Sequence, residues 1–493
     1  MGILDFFPRT KTPRPQQIDI LKAIEANWNK GEILIIEAPT GVGKSAIAVT
    51  IAEWQKAISK NYSAILTPNN LLTQQYHSDY PKLAAYYGKD FQKCKDPNFQ
   101  SCKDKYDYCK SSKQKKMYCE GCPYKTSHAR IERLPFKFSY IANYYKYVQL
   151  KRSSEGKANR DILIIDEAHL LIDTIKSFNT LSIWLHDFNY REYPDRDSLL
   201  KGLKSVYKDK NGENIFQDFI DAIEMNPPRY VLKETEESYH GHIKKKLIAY
   251  PISIKGLNNP IVNSAVSKII MLSATISQKD IEEMGLAGKR LVYLKSDSCI
   301  PVENRPVVWY PTTWVNSSNL REATEKICHR INEIAIRYPE EKGLIHVTYQ
   351  QARIIKELGI LKGDRFIYHD KDNKREVYED YRQRTDNSIL VASGMYEGID
   401  LPYDAGRWQV IAKIPFPSLG EPAVRYQVNR DKEWYQWQAI KTVLQAAGRI
   451  CRAPDDYGIT YIVDDTFENL YSTNYRLFPG WFQEAVSQQV TEE

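Results

Sequence analysis

The chain has 493 residues, of which 42% are hydrophobic and 27% charged, and this composition excludes a disordered, collagen-like or coiled-coil protein. No apolar stretch approaches the roughly 18 residues of a membrane span, so we expect a soluble, cytoplasmic protein, in the host cytoplasm if the source is viral. The net charge of +7 is unevenly spread. Residues 89–133 hold twelve Lys or Arg against six Asp or Glu, a net charge of +6, together with five of the eight cysteines.

Short apolar runs alternate with helical patterns along the chain, for example with the helical pattern at Ala46–Ile58. Such alternation predicts parallel sheets covered by helices on both faces. The candidate buried strands are Ile33–Ile36, Ala64–Leu66, Ile162–Ile165, Ile269–Leu272, Leu344–Val347, Ile389–Val391, Val410–Ile414 and Tyr461–Val463.

These strands predict two α/β domains, roughly 1–300 and 301–493, with the first domain interrupted twice. One interruption is the cysteine-rich segment. The other, at 173–265, is mostly polar and has a helical appearance, with strongly charged stretches at Lys233–Glu237 and Lys244–Lys246.

A glycine-containing loop follows the first candidate strand and precedes a helical pattern, which is the context of a phosphate-binding P-loop. Backbone amides at the start of that helix can cradle phosphates. Lys44 can reach the β- and γ-phosphates, and Ser45 can bind Mg²⁺. Ala38 stands where the usual loop has its first glycine. The residues expected to bind ATP here are Ala38, Pro39, Thr40, Gly41, Val42, Gly43, Lys44 and Ser45.

Adjacent carboxylates end the third candidate strand, at Asp166 and Glu167. Asp166 is placed to hold Mg²⁺, and Glu167 can polarise the attacking water. His169 can couple the nucleotide state to the rest of the domain. Alone, such a pair is usually a solvated surface feature, but with a P-loop it indicates nucleotide hydrolysis.

The ordered motifs resemble those of the superfamily 2 helicases, and more narrowly those of the XPD/DinG-type iron–sulfur DNA helicases. The resemblance covers most of the chain. It rests on Arg14-Pro-Gln-Gln17, Ser273-Ala-Thr275, Glu303-Asn-Arg-Pro306, Gly394-Met-Tyr-Glu-Gly-Ile-Asp400, Pro415-Phe-Pro417 and Gln445-Ala-Ala-Gly-Arg-Ile-Cys-Arg452. It implies that ATP is also bound through Gln17, Gly398, Asp400 and Gln445.

The resemblance implies an α/β fold of two RecA-like parallel-sheet domains, with an iron–sulfur insert and a small helical arch-like insert in the first. The expected boundaries are RecA-like domain 1 at 1–85, 136–172 and 266–300, the cysteine-rich insert at 86–135, the arch-like insert at 173–265 and RecA-like domain 2 at 301–493. The arch-like insert is shorter than an arch that encircles a strand would require.

Two arginines of the last motif, Arg449 and Arg452, are three residues apart, so we expect them on one face of a helix. They belong to the second domain, whereas Lys44 and Asp166 belong to the first. ATP in the cleft would bring these arginines to the γ-phosphate as catalytic arginine fingers. Domain closure would then depend on ATP.

Five cysteines lie close together in the sequence, and four thiolates can bind zinc or a 4Fe–4S cluster. The residues themselves leave zinc, an iron–sulfur cluster and unliganded thiols open. The resemblance implies a 4Fe–4S cluster, because the family's last ligand precedes a proline, as Cys122 does. The candidate ligands are Cys94, Cys102 and Cys122, with Cys109 and Cys119 competing for the fourth place.

Lysines and tyrosines around these cysteines suit a nucleic-acid path, because lysines neutralise phosphates and aromatic faces stack on unpaired bases. A solvated basic surface is the plainer interpretation. The tyrosines concerned are Tyr106, Tyr108, Tyr118 and Tyr124.

The motifs together predict an ATP-dependent DNA helicase that moves on single-stranded DNA and unwinds duplexes. Its implied cofactors are ATP, Mg²⁺ and a 4Fe–4S cluster, its substrates are single-stranded and forked DNA, and we expect a monomer. The resemblance alone implies 5′→3′ movement. Two alternatives stay open: an ATP-driven translocase or remodeller without processive unwinding, and a metal-stabilised nucleic-acid-binding adaptor.

Overall fold

The structure is a computed structural model, and it describes residues 1–111, 120–133, 137–184, 195–206, 216–225, 229–239, 242–262, 266–361, 363–396 and 398–488. Within those ranges, no helix is long and apolar enough to cross a membrane.

The strands form two large parallel sheets and one small antiparallel sheet. In chain order they are β1 Ile33–Glu37, β2 Ser63–Thr67, β3 Ala84–Tyr86, β4 Tyr140–Asn143, β5 Ile162–Asp166, β6 Leu181–Trp184, β7 Tyr230–Tyr239, β8 His242–Pro251, β9 Lys268–Ser273, β10 Leu291–Lys295, β11 Val307–Thr313, β12 Gly343–Val347, β13 Phe366–Tyr368, β14 Ile389–Ser393, β15 Trp408–Ile411, β16 Ile459–Asp464 and β17 Val486–Gln488.

The α-helices connect these strands. They are α1 Pro15–Asn27, α2 Lys44–Ser59, α3 Asn70–Asp79, α4 Cys102–Ser111, α5 Pro123–Arg133, α6 Tyr144–Ser153, α7 Leu171–Phe178, α8 Arg196–Val206, α9 Gln217–Glu224, α10 Gln278–Glu283, α11 Leu320–Arg337, α12 Tyr349–Leu358, α13 Lys374–Gln383, α14 Pro422–Arg430, α15 Lys432–Ala447, α16 Thr466–Thr473 and α17 Gly480–Gln483.

Each large sheet has seven strands. The first has the order β10-β1-β9-β5-β2-β4-β3 and the second the order β13-β14-β12-β15-β16-β11-β17, with parallel pairing throughout. The prediction of two RecA-like parallel-sheet domains is confirmed, and every candidate strand coincides with or overlaps a strand of the two sheets, although the one predicted at Val410–Ile414 ends at Ile411. The strands that the sequence analysis missed are mostly edge strands such as β3 and β13, which are only three residues long.

The first sheet is buried on both faces, as its continuous apolar strands predict. Ile33 and Ile35 of β1 belong to one hydrophobic cluster, while Leu34 and Ile36 belong to the cluster on the opposite face. Successive side chains in a strand point to opposite faces, so a sheet between two helical layers needs apolar residues at every position.

The segment 173–265 differs from the expected helical insert. Helices α8 and α9 pack on a three-stranded antiparallel sheet of order β6-β8-β7. The charged stretches taken as helical lie within the two long strands β7 and β8, where Glu236 faces Lys245. Nζ of Lys245 lies 3.7 Å from Oε1 of Glu236, and opposite charges that face each other across antiparallel strands support the pairing. The helical prediction is wrong for this part of the insert.

Candidate functional site

The carboxyl ends of three neighbouring strands form the centre of the site. β9 lies between β1 and β5, so the P-loop after β1, Ser273 at the end of β9 and Asp166 at the end of β5 meet at one sheet edge. The N–H of Ala38 donates to the Ser273 carbonyl oxygen over 2.9 Å. Ala38 is fully buried, so the alanine that departs from the usual loop fits in the core beneath it.

The P-loop depends on two glycines with positive φ, Gly41 at 85° and Gly43 at 82°. Gly43 is the N-cap residue of α2, whose first residue is Lys44, so the loop leads directly into the helix as predicted. A Cβ at Gly43 would lie 2.5 Å from Nε2 of Gln17, and a Cβ at Gly41 would lie 3.0 Å from the carbonyl oxygen of Arg452. Glycine is therefore required both by the backbone and by these close approaches.

Lys44 is nearly buried and lies between the loop and the paired carboxylates. Its Nζ donates to the Ala38 carbonyl oxygen over 3.4 Å and lies 3.7 Å from Oε1 of Glu167. The structure therefore brings Lys44 and Glu167 together as predicted, with the ammonium at the mouth of the loop where a phosphate would bind.

Asp166 is buried, and its carboxylate accepts a hydrogen bond from the Tyr76 hydroxyl over 2.7 Å. The Tyr144 hydroxyl donates to the Asp166 carbonyl oxygen. Burial, and then the charge of Glu167, raise the pKa of Asp166 to about 6. A divalent cation would oppose that shift, because it stabilises the ionised carboxylate.

Glu167 has a left-handed backbone conformation with φ of 51°, which is unfavourable for a residue with a side chain. Burial opposes ionisation of its carboxyl group, but the charge of Lys44, and then those of the two motif arginines, hold its pKa below the usual value. A strained, ionised carboxylate beside the P-loop suits a residue that polarises water.

His169 connects the two domains. Nε2 of Gln445 lies 2.6 Å from His169 Nε2, and Nδ1 of His169 lies 2.9 Å from Ser273 Oγ. Since the amide nitrogen of Gln445 only donates, His169 Nε2 accepts and Nδ1–H donates to Ser273. Burial lowers the pKa of His169 to about 4, which keeps the ring neutral. Gln445 therefore meets the histidine of the first domain.

The sequence predicted that Arg449 and Arg452 lie on one face of a helix. In the structure α15 ends at Ala447, and both arginines follow it in a turn. The turn allows close approach to the P-loop, because a Cβ at Gly448 would lie 2.6 Å from Thr40 Oγ1. The helical prediction for Arg449 and Arg452 is therefore wrong. Their predicted place beside the first domain's nucleotide loop agrees with the structure.

Asp400 is tied to the same turn. Arg452 Nε lies 2.5 Å from Asp400 Oδ1, and Arg449 donates to the Ile399 carbonyl oxygen over 3.0 Å. Gly398, two residues before Asp400, has a φ of 78°. Of the two predicted ATP-binding residues of this segment, Asp400 therefore contacts a motif arginine.

Gln17 supports the P-loop backbone. Its Nε2 donates to the Gly43 carbonyl oxygen over 3.2 Å, and its Oε1 accepts from the Arg14 N–H over 2.9 Å. A cavity of about 240 Å³ lies beside it. The residues lining that cavity are Phe7, Lys11, Thr12, Arg14, Gln17, Gly43, Ser45 and Ala46. Of the other loop residues, Pro39 and Val42 are buried.

The cysteine-rich segment brings two of the candidate ligands into contact. Sγ of Cys102 lies 3.8 Å from Sγ of Cys122, and both are buried. Cys109 is also buried, on the same helix as Cys102, and Cys94 is half-buried. Burial, and then the Cys122 and Cys94 thiols, raise the pKa of Cys102 to about 12. Cys119 lies outside the described residues.

Among the residues that the structure describes, no group of three or more His, Cys, Asp or Glu side chains is drawn together as a metal site. The predicted tyrosines also differ in their access to solvent. Tyr108 is 49% exposed, whereas Tyr124 is buried under Lys146, whose Nζ lies 4.3 Å from the ring centroid. Tyr118 lies outside the described residues. Tyr108 is thus partly exposed beside Phe99, whereas Tyr124 is a packing residue.

The sequence analysis missed four side chains that organise the site: Tyr76, Tyr144, Asp280 and Lys441. The two tyrosines bond to Asp166, and the other two form a contact between the domains. Each of them lies outside the short motifs. Of the four, only Lys441 had a signal in the sequence, because it lies four residues before Gln445 and would share a helix face with it.

Comparisons with known proteins agree with this geometry. The family described as Type III restriction enzyme, res subunit, matches residues 10–191, and the family described as Helicase C-terminal domain matches residues 345–485. A protein of Methanocaldococcus jannaschii named "Probable ATP-dependent helicase MJ0942" is 29% identical over 94% of this chain and 93% of its own length.

A Regulator of telomere elongation helicase 1 homolog of Drosophila virilis is 37% identical over 20% of this chain, and the match spans 12% of that relative's length. The solved structure titled "XPD_Helicase" has a TM-score of 0.61 and 15% identity, and covers 97% of this chain and 100% of its own.

The fold and the matched families define a chain with two RecA-like domains, the second of which contains a helicase C-terminal domain. More narrowly, the fold is similar to that of the solved XPD helicase structure, which agrees with the resemblance to the XPD/DinG-type helicases.

Proposed function

We propose that this protein is a DNA helicase that translocates on single-stranded DNA and unwinds duplexes, using ATP hydrolysed between its two sheets. The observation that carries the proposal is the meeting of Lys44, Glu167 and the turn bearing Arg449 and Arg452 in one cleft. Groups from both domains face the place of the phosphates, so nucleotide turnover and domain movement are linked.

The residues of the cleft have separate tasks in this proposal. Backbone amides of the P-loop and Lys44 bind the phosphates, and Glu167 orients the attacking water. Arg449 and Arg452 stabilise charge on the γ-phosphate from the second domain. Mg²⁺, when bound by Ser45 and Asp166, supplies neutralisation of phosphate charge.

DNA as substrate is supported by charge and by kinship. The basic segment 89–133 carries most of the net charge, and lysines neutralise backbone phosphates whatever the sequence. The relative in Eremothecium gossypii is named ATP-dependent DNA helicase CHL1 and is 23% identical over 70% of this chain. Movement in the 5′→3′ direction is part of the proposal and rests on the family resemblance alone.

Lys44→Ala tests the proposal. We expect DNA-stimulated ATP hydrolysis and strand displacement both to be lost, because in this proposal Lys44 supplies the ammonium that binds the phosphates. Lys56→Ala is the matched control, since it removes an exposed lysine from the same helix. Normal hydrolysis by Lys44→Ala would show that the nucleotide site is wrongly assigned.

Forked substrates with only a 5′ or only a 3′ single-stranded tail test the direction. Displacement from the 5′-tailed fork alone is expected. ATP hydrolysis without displacement from either fork would favour the translocase or remodeller instead of the helicase.

We also propose that the cysteine-rich segment holds a 4Fe–4S cluster with Cys94, Cys102, Cys122 and either Cys109 or Cys119 as ligands. The contact between the Cys102 and Cys122 thiols, and the burial of Cys109 on the same helix as Cys102, support it. Such a cluster would hold the segment together, which matters because few apolar side chains are buried there.

Protein purified without oxygen provides the test. Broad absorbance near ~400 nm and about four iron atoms per chain are expected for one four-thiolate cluster. Stoichiometric zinc without iron would overturn the cluster.

A further inference from the structure

One face of α15 carries three polar or aromatic side chains toward the first domain. Trp437, Lys441 and Gln445 follow one another at four-residue spacing, which places them in line along the helix. Gln445 reaches His169, as described above. The other two side chains reach a single acceptor, Asp280 of α10.

The contact at Asp280 is closely satisfied. Its Oδ1 accepts from Lys441 Nζ over 3.2 Å, and its Oδ2 accepts from Trp437 Nε1 over 3.0 Å. Asp280 is 3% exposed, and Lys441 is 9% exposed. A buried carboxylate and a buried ammonium therefore meet between the domains, with the indole N–H as a second donor from α15. The Ser277 N–H and hydroxyl donate to the same Oδ2 from the start of α10.

Asp280 belongs to the segment that begins at Ser273. Ser273 bonds to His169 at the nucleotide site, and Asp280 bonds to α15 seven residues later. The contacts form a ring that runs from His169 through this segment to α15 and returns through Gln445. A shift of α15 at one contact would therefore move the other.

Three further ion pairs among the described residues join the second domain to the rest of the chain, and all are more exposed. Lys233 lies 2.8 Å from Glu421, with both side chains about half exposed, and Lys279 lies 2.8 Å from Asp431 and 3.2 Å from Glu433. Exposed pairs contribute little because solvent screens them. The buried pair differs, since either charge left alone in the closed state would be strongly unfavourable.

We propose that Asp280, Lys441 and Trp437 form a positioning contact that sets the orientation of α15 in the closed state. α15 ends one residue before Gly448, so its orientation decides where Arg449 and Arg452 lie. Asp280 and Lys441 are positioning residues for ATP turnover and do not bind the nucleotide. The inference rests on the proposed ATP-driven function.

Lys441→Met and Asp280→Asn test this contact, with kcat for DNA-stimulated ATP hydrolysis and Kd for a fluorescent ATP analogue as readouts. We expect kcat to fall about tenfold, or roughly 1.4 kcal/mol of activation free energy, with Kd unchanged. The double variant should fall no further than Lys441→Met, because both changes break the same contact.

Gln278→Ala is the matched control. Gln278 is exposed on α10 and its Nε2 donates to Glu282 Oε1 over 3.3 Å, so its loss removes a contact within this helix and leaves the Asp280 carboxylate untouched. We expect wild-type kcat. An equal fall in kcat would assign the effect to α10 itself and overturn the proposal.

The outcomes separate the two proposals. An inactive wild-type protein contradicts the proposed function, whereas an active wild type with unchanged kcat in Lys441→Met contradicts only the positioning contact. If Lys441→Met fails to fold, Asp280→Asn decides, because it keeps the shape of the side chain and removes its charge. A lower kcat then supports the contact, and an unchanged kcat overturns it.

Discussion

The nucleotide cleft and the cysteine-rich segment both gather charged or reactive side chains, but they hold them differently. In the cleft, Asp166 and His169 are buried and receive bonds from several elements of both domains. In the cysteine-rich segment, the Cys102 and Cys122 thiols meet in a buried contact, and lysines lie over aromatic rings, as Lys89 does 3.6 Å from the Tyr106 centroid. The protein fold itself organises the cleft, whereas we propose that a bound cluster organises the segment.

Glu167→Gln should have the largest effect on the cleft. The amide cannot polarise water as the ionised carboxylate does, so we expect kcat to fall by about a hundredfold to ten-thousandfold. Binding of an ATP analogue should persist, since Lys44 and the P-loop remain. Steady-state hydrolysis beside fluorescence titration measures both, and Glu53→Gln, an exposed change on α2, is the control. A fall of only twofold would assign the water-orienting role to another residue.

Cys122→Ser should disable the cysteine-rich segment and leave the cleft intact. We expect loss of iron and of strand displacement, with ATP hydrolysis in the absence of DNA retained, because the cleft has its own network of contacts. Iron analysis and the two activity assays measure this. Cys328→Ser removes a buried cysteine from the second domain and serves as control. Retained iron in Cys122→Ser would remove Cys122 from the ligand set.

Lys146 lies at the junction between the nucleotide cleft and the cysteine-rich segment. Lys146→Met should have the smallest effect of these variants, and the effect is on stability. Burial, and then the charge of Lys89, lower the pKa of Lys146 to about 7. Between that value and the usual 10.5 the unfolded chain keeps a proton that the folded chain has lost, so stability rises with pH in this window.

The methionine variant has no titrating group at this position. Its free energy of unfolding should therefore exceed that of wild type by most below pH 7, and the difference should shrink toward pH 10. Melting temperatures measured across this range provide the test, with Lys22→Met on the exposed face of α1 as control. A difference in melting temperature between variant and wild type that stays constant with pH would show that Lys146 is charged throughout this pH range.

Strand positions and the residues at strand ends were predictable because apolar runs and parallel sheets follow general rules. The loop that contains Lys44 and the pair that contains Asp166 follow such runs, and both lie at the same sheet edge. The hairpin of β7 and β8 was not predictable, because its charges suggested a solvated helix until their cross-strand pairing was known. Arg449 and Arg452 were misplaced for a similar reason, since three-residue spacing does not show where a helix ends.

The sequence by itself determined the two parallel sheets, the order of the nucleotide motifs and the concentration of charge and cysteine in one segment. These are local properties, readable from periodicity, spacing and count. Only the tertiary structure decided that Gln445 meets His169, that Lys441 and Trp437 meet Asp280, and that Cys102 meets Cys122. Such contacts join residues far apart in the chain, and their geometry depends on how whole elements pack, which no short motif encodes.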